Sequence, residues 1–218
     1  MAEPVSLPGE LRVVDHVPQA FAALVAHEAP RSIALSGGDT ARECYELLAV
    51  ADVDWGAVEV FWSDERWVPL SDPDSNEGMA RHAFLDTVAP REIHSMRDAG
   101  STPEEAATAY DKLLAGVPPV AFVHLGLGPD GHTASLFPGT SAVDVEDRLV
   151  ITNGDDLHPH ERITFTFPGI AHSELVVVTV AGAGKRDALR RIRAGEDLPG
   201  ARIRAPRVLW LADPAAAG

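Results

Sequence analysis

The chain has 218 residues, 45% of them hydrophobic, enough to build one domain with a real core, and residues 1–218 read as that single domain. A formal net charge of −15 excludes a broad polyanion-binding surface, so neither nucleic acid nor an anionic membrane is an expected partner. The single cysteine, Cys44, can form no internal disulfide and no cysteine-based metal site. With no leader-like opening and no apolar run near the ~18 to 20 residues of a bilayer span, a cytoplasmic protein is expected.

Apolar runs of strand length alternate with helical patterns along the chain. In order, the reading is a helix over 18–27, strand SIALS at 32–36, a helix over 40–48, strand VEVFW at 58–62, a helix over 75–85 and strand IHSM at 93–96. There follow a helix over 103–114, strands VAFVHL at 120–125, ITFTF at 163–167 and LVVVTV at 175–180, a helix over 185–193, and strand RVLWL at 207–211. Thr102, Pro103 and Glu105 form a capping box for the fourth helix, and Cys44 reads as a small buried side chain on the second. Such alternation, with strands apolar enough to be covered on both faces, predicts an α/β fold with a mainly parallel sheet. The segment 185–207 carries eight basic and three acidic residues, about +5 against about −20 for the remainder. It reads as a solvated helix face with Leu189 and Ile192 inward, whose start can also hold a small anion.

In a sheet of this kind ligands gather at the carboxyl ends of strands, which singles out the loops SGGDTAR, SDERWVPLSDPDSN, GLGPDGHTASLFP and AGAGKR. Gly126, Gly128 and Gly131 have the spacing of a dinucleotide-binding turn. Pro138, however, leaves no room for the helix such a turn requires, and Asp130 would repel a pyrophosphate. ALSGG falls one residue short of a nucleophile elbow, and its early place in the chain counts against Ser36 as an acyl-transfer nucleophile. The preferred reading is a phosphate cradle made by Gly37, Gly38, Thr40 and the following helix N-terminus. GAGK at 182–185 ends like a P-loop, but Arg186 occupies the hydroxyl position; Lys185 remains as a point charge for phosphate. His158 and His160, taken with Asp130 and His132, match no zinc spacing, so no metal is expected. Asp64, Glu65 and Arg66 leave an apolar strand, and either one of them points into the cleft or they form a surface ion pair. Asp130 and His132, two residues apart between glycines, are either loop structure or a carboxylate–imidazole pair able to take a proton from water.

The blocks SGGDT, SDERWVPLSDPDSN, HLGLGPDGHTASLFPG, HERITFTFPGI and LWLADPAAA resemble, in content and order, those of the 6-phosphogluconolactonase family, from about residue 10 to the end. The resemblance implies a modified Rossmann-like fold, its mainly parallel sheet flanked by helices. It also implies cofactor-free hydrolysis of 6-phosphoglucono-δ-lactone to 6-phosphogluconate, a step of the pentose phosphate pathway. His132 is then the general base, with Asp130 orienting it or holding the water. The substrate phosphate lies on Gly37, Gly38 and Thr40, clamped by Lys185 and Arg162, while Arg66 binds either phosphate or ring hydroxyls. Asp64, Glu65 and Gly131 stand as accessory positions, with the amides beside Gly37 and Gly131 as oxyanion donors. The expected partner is a small sugar-phosphate lactone, bound by a monomer.

The wider superfamily includes glucosamine-6-phosphate deaminase, in which a glutamate partners the catalytic histidine. Phe137 stands at that place here, and Arg66 stands where the deaminase commonly has an uncharged aromatic. A sugar-phosphate isomerase or deaminase and a non-catalytic sugar-phosphate sensor are the alternatives, and the complete Asp130–Gly131–His132 block counts against a sensor. The family loop usually reads Ser-Gly-Gly-Ser-Thr-Pro, whereas here Asp39 and Ala41 replace the serine and the proline. An inward carboxylate would repel phosphate, so Asp39 is expected to face away or to cap the next helix.

Overall fold

The computed structural model describes residues 7–218. The chain opens with β1 (Glu10–Val13), α1 (Val17–Glu28), β2 (Ser32–Leu35), α2 (Asp39–Leu48), β3 (Glu59–Trp62) and β4 (Asp64–Arg66). Next come α3 (Asn76–Ala80), a π-helical stretch (Arg81–Leu85), α4 (Asp86–Val88), β5 (Glu92–Ile93), α5 (Pro103–Ala115) and β6 (Val120–Gly126). The last third holds β7 (Val150–Asp155), β8 (His158–Phe165), α6 (Phe167–Ala171), β9 (Ser173–Val180), α7 (Arg186–Arg193), β10 (Arg207–Ala212) and α8 (Pro214–Ala217).

Seven strands form one sheet in the order β1-β10-β9-β6-β2-β3-β5, with every pairing parallel. The central strands β6 and β9 are buried along almost their whole length, which is why they read as unbroken apolar runs. Parallel neighbours require crossovers, so the loops leaving β2, β6 and β9 emerge on the same edge of the sheet. Among the described residues no helix is long and apolar enough to cross a membrane.

Three strands depart from the parallel pattern. The segment ITFTF, expected in the main sheet, belongs instead to β8 at the centre of a second, antiparallel sheet in the order β4-β8-β7. Its strand ends at Phe165, and Thr166 turns the chain into α6 by accepting the Gly169 N–H at 3.1 Å. The partners β4 and β7 are too short and polar to read as strands; they become so only by pairing with β8, while α5 packs against β7 and β8. The run IHSM contributes only Ile93, although His94 N–H still reaches Val60 O at 2.9 Å. The helix expected over 75–85 starts after Ser75, whose hydroxyl caps Gly78 N–H, and widens into the π-helical stretch after Ala80.

The capping box at α5 is present in a shifted form: Thr102 Oγ1 accepts the Glu105 N–H at 3.2 Å, and the Glu105 carboxylate reaches back to Ser101 N–H rather than to Thr102. In the basic segment, Arg190 pairs with Asp187, Arg191 with Glu196, Arg202 with Asp144 and Arg207 with Glu28. Arg186, Arg193 and Arg204 bond to backbone carbonyls. Among the described residues, Lys185 alone of the eight has no such partner, and it faces the cleft described next.

Candidate functional site

A cleft opens where β2, β4, β6 and β9 end, and its walls include Ser36, Gly37, Gly38, Asp64, Arg66, Gly128, His132, Arg162 and Lys185. The loop after β2 supplies one wall. Gly37 lies so close to the Asn76 amide that a Cβ would sit 1.8 Å from its Oδ1, and Gly38 has φ +96 at the start of α2. Each position therefore requires glycine, one for contact and one for conformation. The N–H groups of Gly37 and Gly38 donate to no protein group among the described residues. Asp39 does face away, 91% exposed and paired with Arg42 at 2.9 Å, and it caps nothing. Thr40 lies in the first turn of α2 outside the cleft lining.

The loop after β6 is a tight turn closed by Gly128 N–H to His132 O at 2.8 Å and Gly131 N–H to Gly128 O at 3.0 Å. No α-helix follows it, in agreement with the Pro138 argument, and only a short 3-10 turn forms at Ser141–Asp144. Asp130 Oδ1 accepts the His132 backbone N–H at 3.1 Å and lies 2.6 Å from His132 Nδ1. Nδ1 thus carries the proton toward the carboxylate, and Nε2, which bonds to no group among the described residues, keeps its lone pair. Burial pushes the His132 pKa below its ordinary value against the pull of Asp130. Burial also opposes ionisation of Asp130, but the charge of His132 and its hydrogen bonds more than offset this, so Asp130 titrates low as well. Near neutral pH the pair is therefore a carboxylate and a neutral imidazole. The His132 ring stands edge-on to Phe137 at 5.0 Å, and Phe137 stacks on His158 at 4.1 Å.

The third wall carries the positive charge. Arg66 and Arg162 are register partners across β4 and β8, an arrangement that like charges oppose unless an anion lies between them. Arg162 is only 7% exposed, yet among the described residues its guanidinium finds no hydrogen-bond or ion-pair partner, and the Nε atoms of both arginines are buried without one. Arg66 is anchored by its Nη1 on Asp74 O at 2.7 Å. Burial and the neighbouring Arg66 lower the Arg162 pKa, and burial lowers that of Lys185. A buried arginine without a carboxylate is costly, and a bound anion removes that cost.

Asp64 also borders the cleft, held by Ser135 Oγ at 2.8 Å and by the Asn76 amide at 3.3 Å. Glu65 points the other way. It accepts backbone N–H groups of Arg66, Asn76 and Glu77, each at 2.7 Å, and the Ser75 hydroxyl at 3.1 Å. Burial raises its pKa to about 7, and the three backbone donors work against that rise. Glu65 is therefore a brace for the loop that carries Arg66. Gly131 lies outside the lining with its N–H engaged by Gly128, which removes that amide from the oxyanion donors. His160 pairs with Asp74 and His158 with Asp155; His158 also stands edge-on to His132 at 5.4 Å, but among the described residues no three of the four residues weighed for zinc bring ligand atoms within metal range of one another. Among the described residues, the group with three ligand atoms in metal range is Glu59, Glu92 and His94, outside this cleft.

Residues 10–210 match the family described as glucosamine-6-phosphate isomerases/6-phosphogluconolactonase. The chain belongs to this family. The 6-phosphogluconolactonase of Synechocystis is 44% identical to it over 204 residues, spanning 87% of this chain and 84% of that protein. The 6-phosphogluconolactonase of Mycobacterium leprae is 39% identical over 207 residues, or 85% and 83% of the two chains. The structure of 6-phosphogluconolactonase from Trypanosoma brucei matches with a TM-score of 0.82 at 28% identity, covering 97% of this chain and 98% of that one. A monomeric glucosamine-6-phosphate deaminase shares the fold, with a TM-score of 0.81 at 18% identity.

Within this family frame, two residues that sequence reasoning passed over shape the cleft. Asn76 fills the space above Gly37 and bonds Asp64 O at 2.9 Å; Ser135 holds the Asp64 carboxylate and is itself held by Thr164 and Asn153. Both lie inside the blocks that carry the resemblance, but Asn76 is not a titratable type and Ser135 is one hydroxyl among many, so nothing in their chemistry marks them before the loops are folded together.

Proposed function

We propose that the chain hydrolyses 6-phospho-D-glucono-1,5-lactone to 6-phospho-D-gluconate, the lactone-opening step of the pentose phosphate pathway, by general-base activation of water. The observation that carries this reading is the register pair Arg66 and Arg162, neither of which makes an ion pair among the described residues, in one cleft with the Asp130–His132 dyad. The phosphate lies among Arg162, Lys185 and the free N–H groups of Gly37 and Gly38, with Arg66 beside it or on the ring hydroxyls. His132 Nε2 takes a proton from water while Asp130 stabilises the imidazolium, and the water oxygen bonds to C1. As the tetrahedral intermediate collapses, the C1–ring-oxygen bond breaks and the ring oxygen takes the proton back from Nε2. The carboxylic acid product then loses its proton to solvent.

Phe137 favours this reading over the deaminase alternative. It places an apolar ring beside His132 where the deaminase pattern has a carboxylate, and proton shuttling between sugar carbons lacks its second acid–base group. The test is turnover of freshly prepared lactone, corrected for its spontaneous opening. A rate indistinguishable from background would remove the enzyme, and binding without turnover would leave a sensor. Lys185→Ala should chiefly raise KM for the phosphorylated lactone, and an equal effect on unphosphorylated gluconolactone would contradict its place on the phosphate.

A further inference from the structure

The loop that presents Gly37 and Gly38 is held from beneath by a buried polar chain that no step of the reaction uses. Tyr45 on α2, His124 in β6 and Thr179 in β9 are all buried. The Tyr45 hydroxyl accepts the Ser36 backbone N–H at 2.7 Å and lies 3.2 Å from Ser36 O and 2.8 Å from His124 Nδ1. On the far side of the ring, His124 Nε2 lies 2.9 Å from Thr179 Oγ1. Phe21 packs on the imidazole at 4.2 Å, which fixes its plane.

Counting protons selects one arrangement. Four hydrogens need acceptors: those of Ser36 N, the ring, the Tyr45 hydroxyl and the Thr179 hydroxyl. If Nδ1 is protonated, Ser36 N–H and Nδ1–H both donate to the Tyr45 oxygen, Tyr45 donates to Ser36 O, and Thr179 donates to Nε2. Every hydrogen is then used. With Nε2 protonated, the Thr179 hydroxyl hydrogen has no acceptor among the described residues, a cost that buried groups avoid. Burial supports a neutral ring, since it lowers the His124 pKa to about 3.

We propose that His124, as the Nδ1–H tautomer, is a positioning residue for phosphate recognition. Through Tyr45 it fixes both backbone groups of Ser36, and so the direction in which the next two N–H groups point. Through Thr179 it ties that loop to the end of β9, from which Lys185 follows. The glycine cradle and the lysine are thereby held as one unit. This rests on the phosphate reading of the cleft given above.

The experiment has two independent arms on the full chain. A two-bond 15N–1H correlation spectrum of 15N-histidine-labelled protein reads the tautomer directly. The Nδ1–H pattern is expected, and an Nε2–H pattern for His124 would overturn the proposal. In the second arm, calorimetric titration with inorganic phosphate is paired with steady-state kinetics on His124→Phe, which keeps the ring stack and loses both bonds, and on His124→Asn, whose amide can still donate toward Tyr45. His124→Phe should weaken phosphate binding and raise KM for the phosphorylated lactone by about tenfold or more. Its kcat on unphosphorylated gluconolactone should stay unchanged, and His124→Asn should recover most of the loss. Unaltered phosphate affinity in a folded His124→Phe protein would overturn the positioning role while leaving the cleft reading intact. Absence of phosphate binding in the unmutated protein would overturn both. If His124→Phe does not fold, Tyr45→Phe serves in its place, with the same expected loss of phosphate affinity and the same overturning result.

Discussion

At Gly128 an added Cβ would lie 2.2 Å from His132 Nδ1 and 2.6 Å from Asp130 Oδ1, so the dyad occupies the space a side chain would take. Gly128→Ala should displace the imidazole and lower kcat by about 10²-fold, since a misplacement near 1 Å costs that much, while phosphate affinity measured by calorimetry stays the same. The three glycines were legible as a spacing, but only two of them have a cause in the structure, and the two causes differ. Gly126 has open space around it, Gly128 makes room for a ring, and Gly131 has φ +90 with Leu198 against it. His132→Ala should lower kcat by about two to four orders of magnitude with the fold preserved, as read by circular dichroism. The base form is the neutral ring, and burial lowers its pKa from 6.5. As pH falls, kcat/KM should therefore decline on a single proton with its midpoint below 6.5. A midpoint at or above 6.5 would mean that Asp130 outweighs burial in the working enzyme.

Among the elements, β4 shows why part of the site could not be read in advance. Asp64, Glu65 and Arg66 stand on consecutive positions of a strand, so their side chains alternate, and the outer two face the cleft while Glu65 turns to the start of α3. The sequence marks the three as a charged loop and leaves open which of them enters the cleft; the alternation settles this only once β8 supplies a partner strand. The parallel sheet was legible because burial on both faces makes its strands uniformly apolar, and β4 and β7 lack that mark. Glu65→Gln keeps the shape of the side chain but replaces one acceptor oxygen with a donor facing N–H or O–H groups. It should destabilise the protein by about 1–3 kcal/mol in urea unfolding and raise KM through the loosened Arg66. Unfolding unchanged within error would show that the four donors find water instead.

On the scale of the whole molecule, the same buried histidine that braces the phosphate loop also governs the response to acid. The run VAFVHL reads as an apolar strand, and His124 within it carries no visible task until Tyr45 from one helix and Thr179 from a distant strand close around it. In the native state its pKa lies at about 3, against 6.5 for a free imidazole. Between those values the unfolded chain binds a proton that the folded chain refuses. Native stability is therefore fully present above 6.5 and is lost as pH falls toward 3, by up to about 1.4 kcal/mol per unit from this group alone. The many carboxylates and His132 also titrate in this range, but they are shared by a His124→Gln protein, so the difference between the two isolates His124. His124→Gln should be less stable at pH 7, where it loses a well-made network, and should lose less further stability between pH 7 and pH 4.5. Urea unfolding at both pH values measures the two slopes, and parallel slopes would mean that the ring is already protonated, or already exposed, in the native protein at the lower pH.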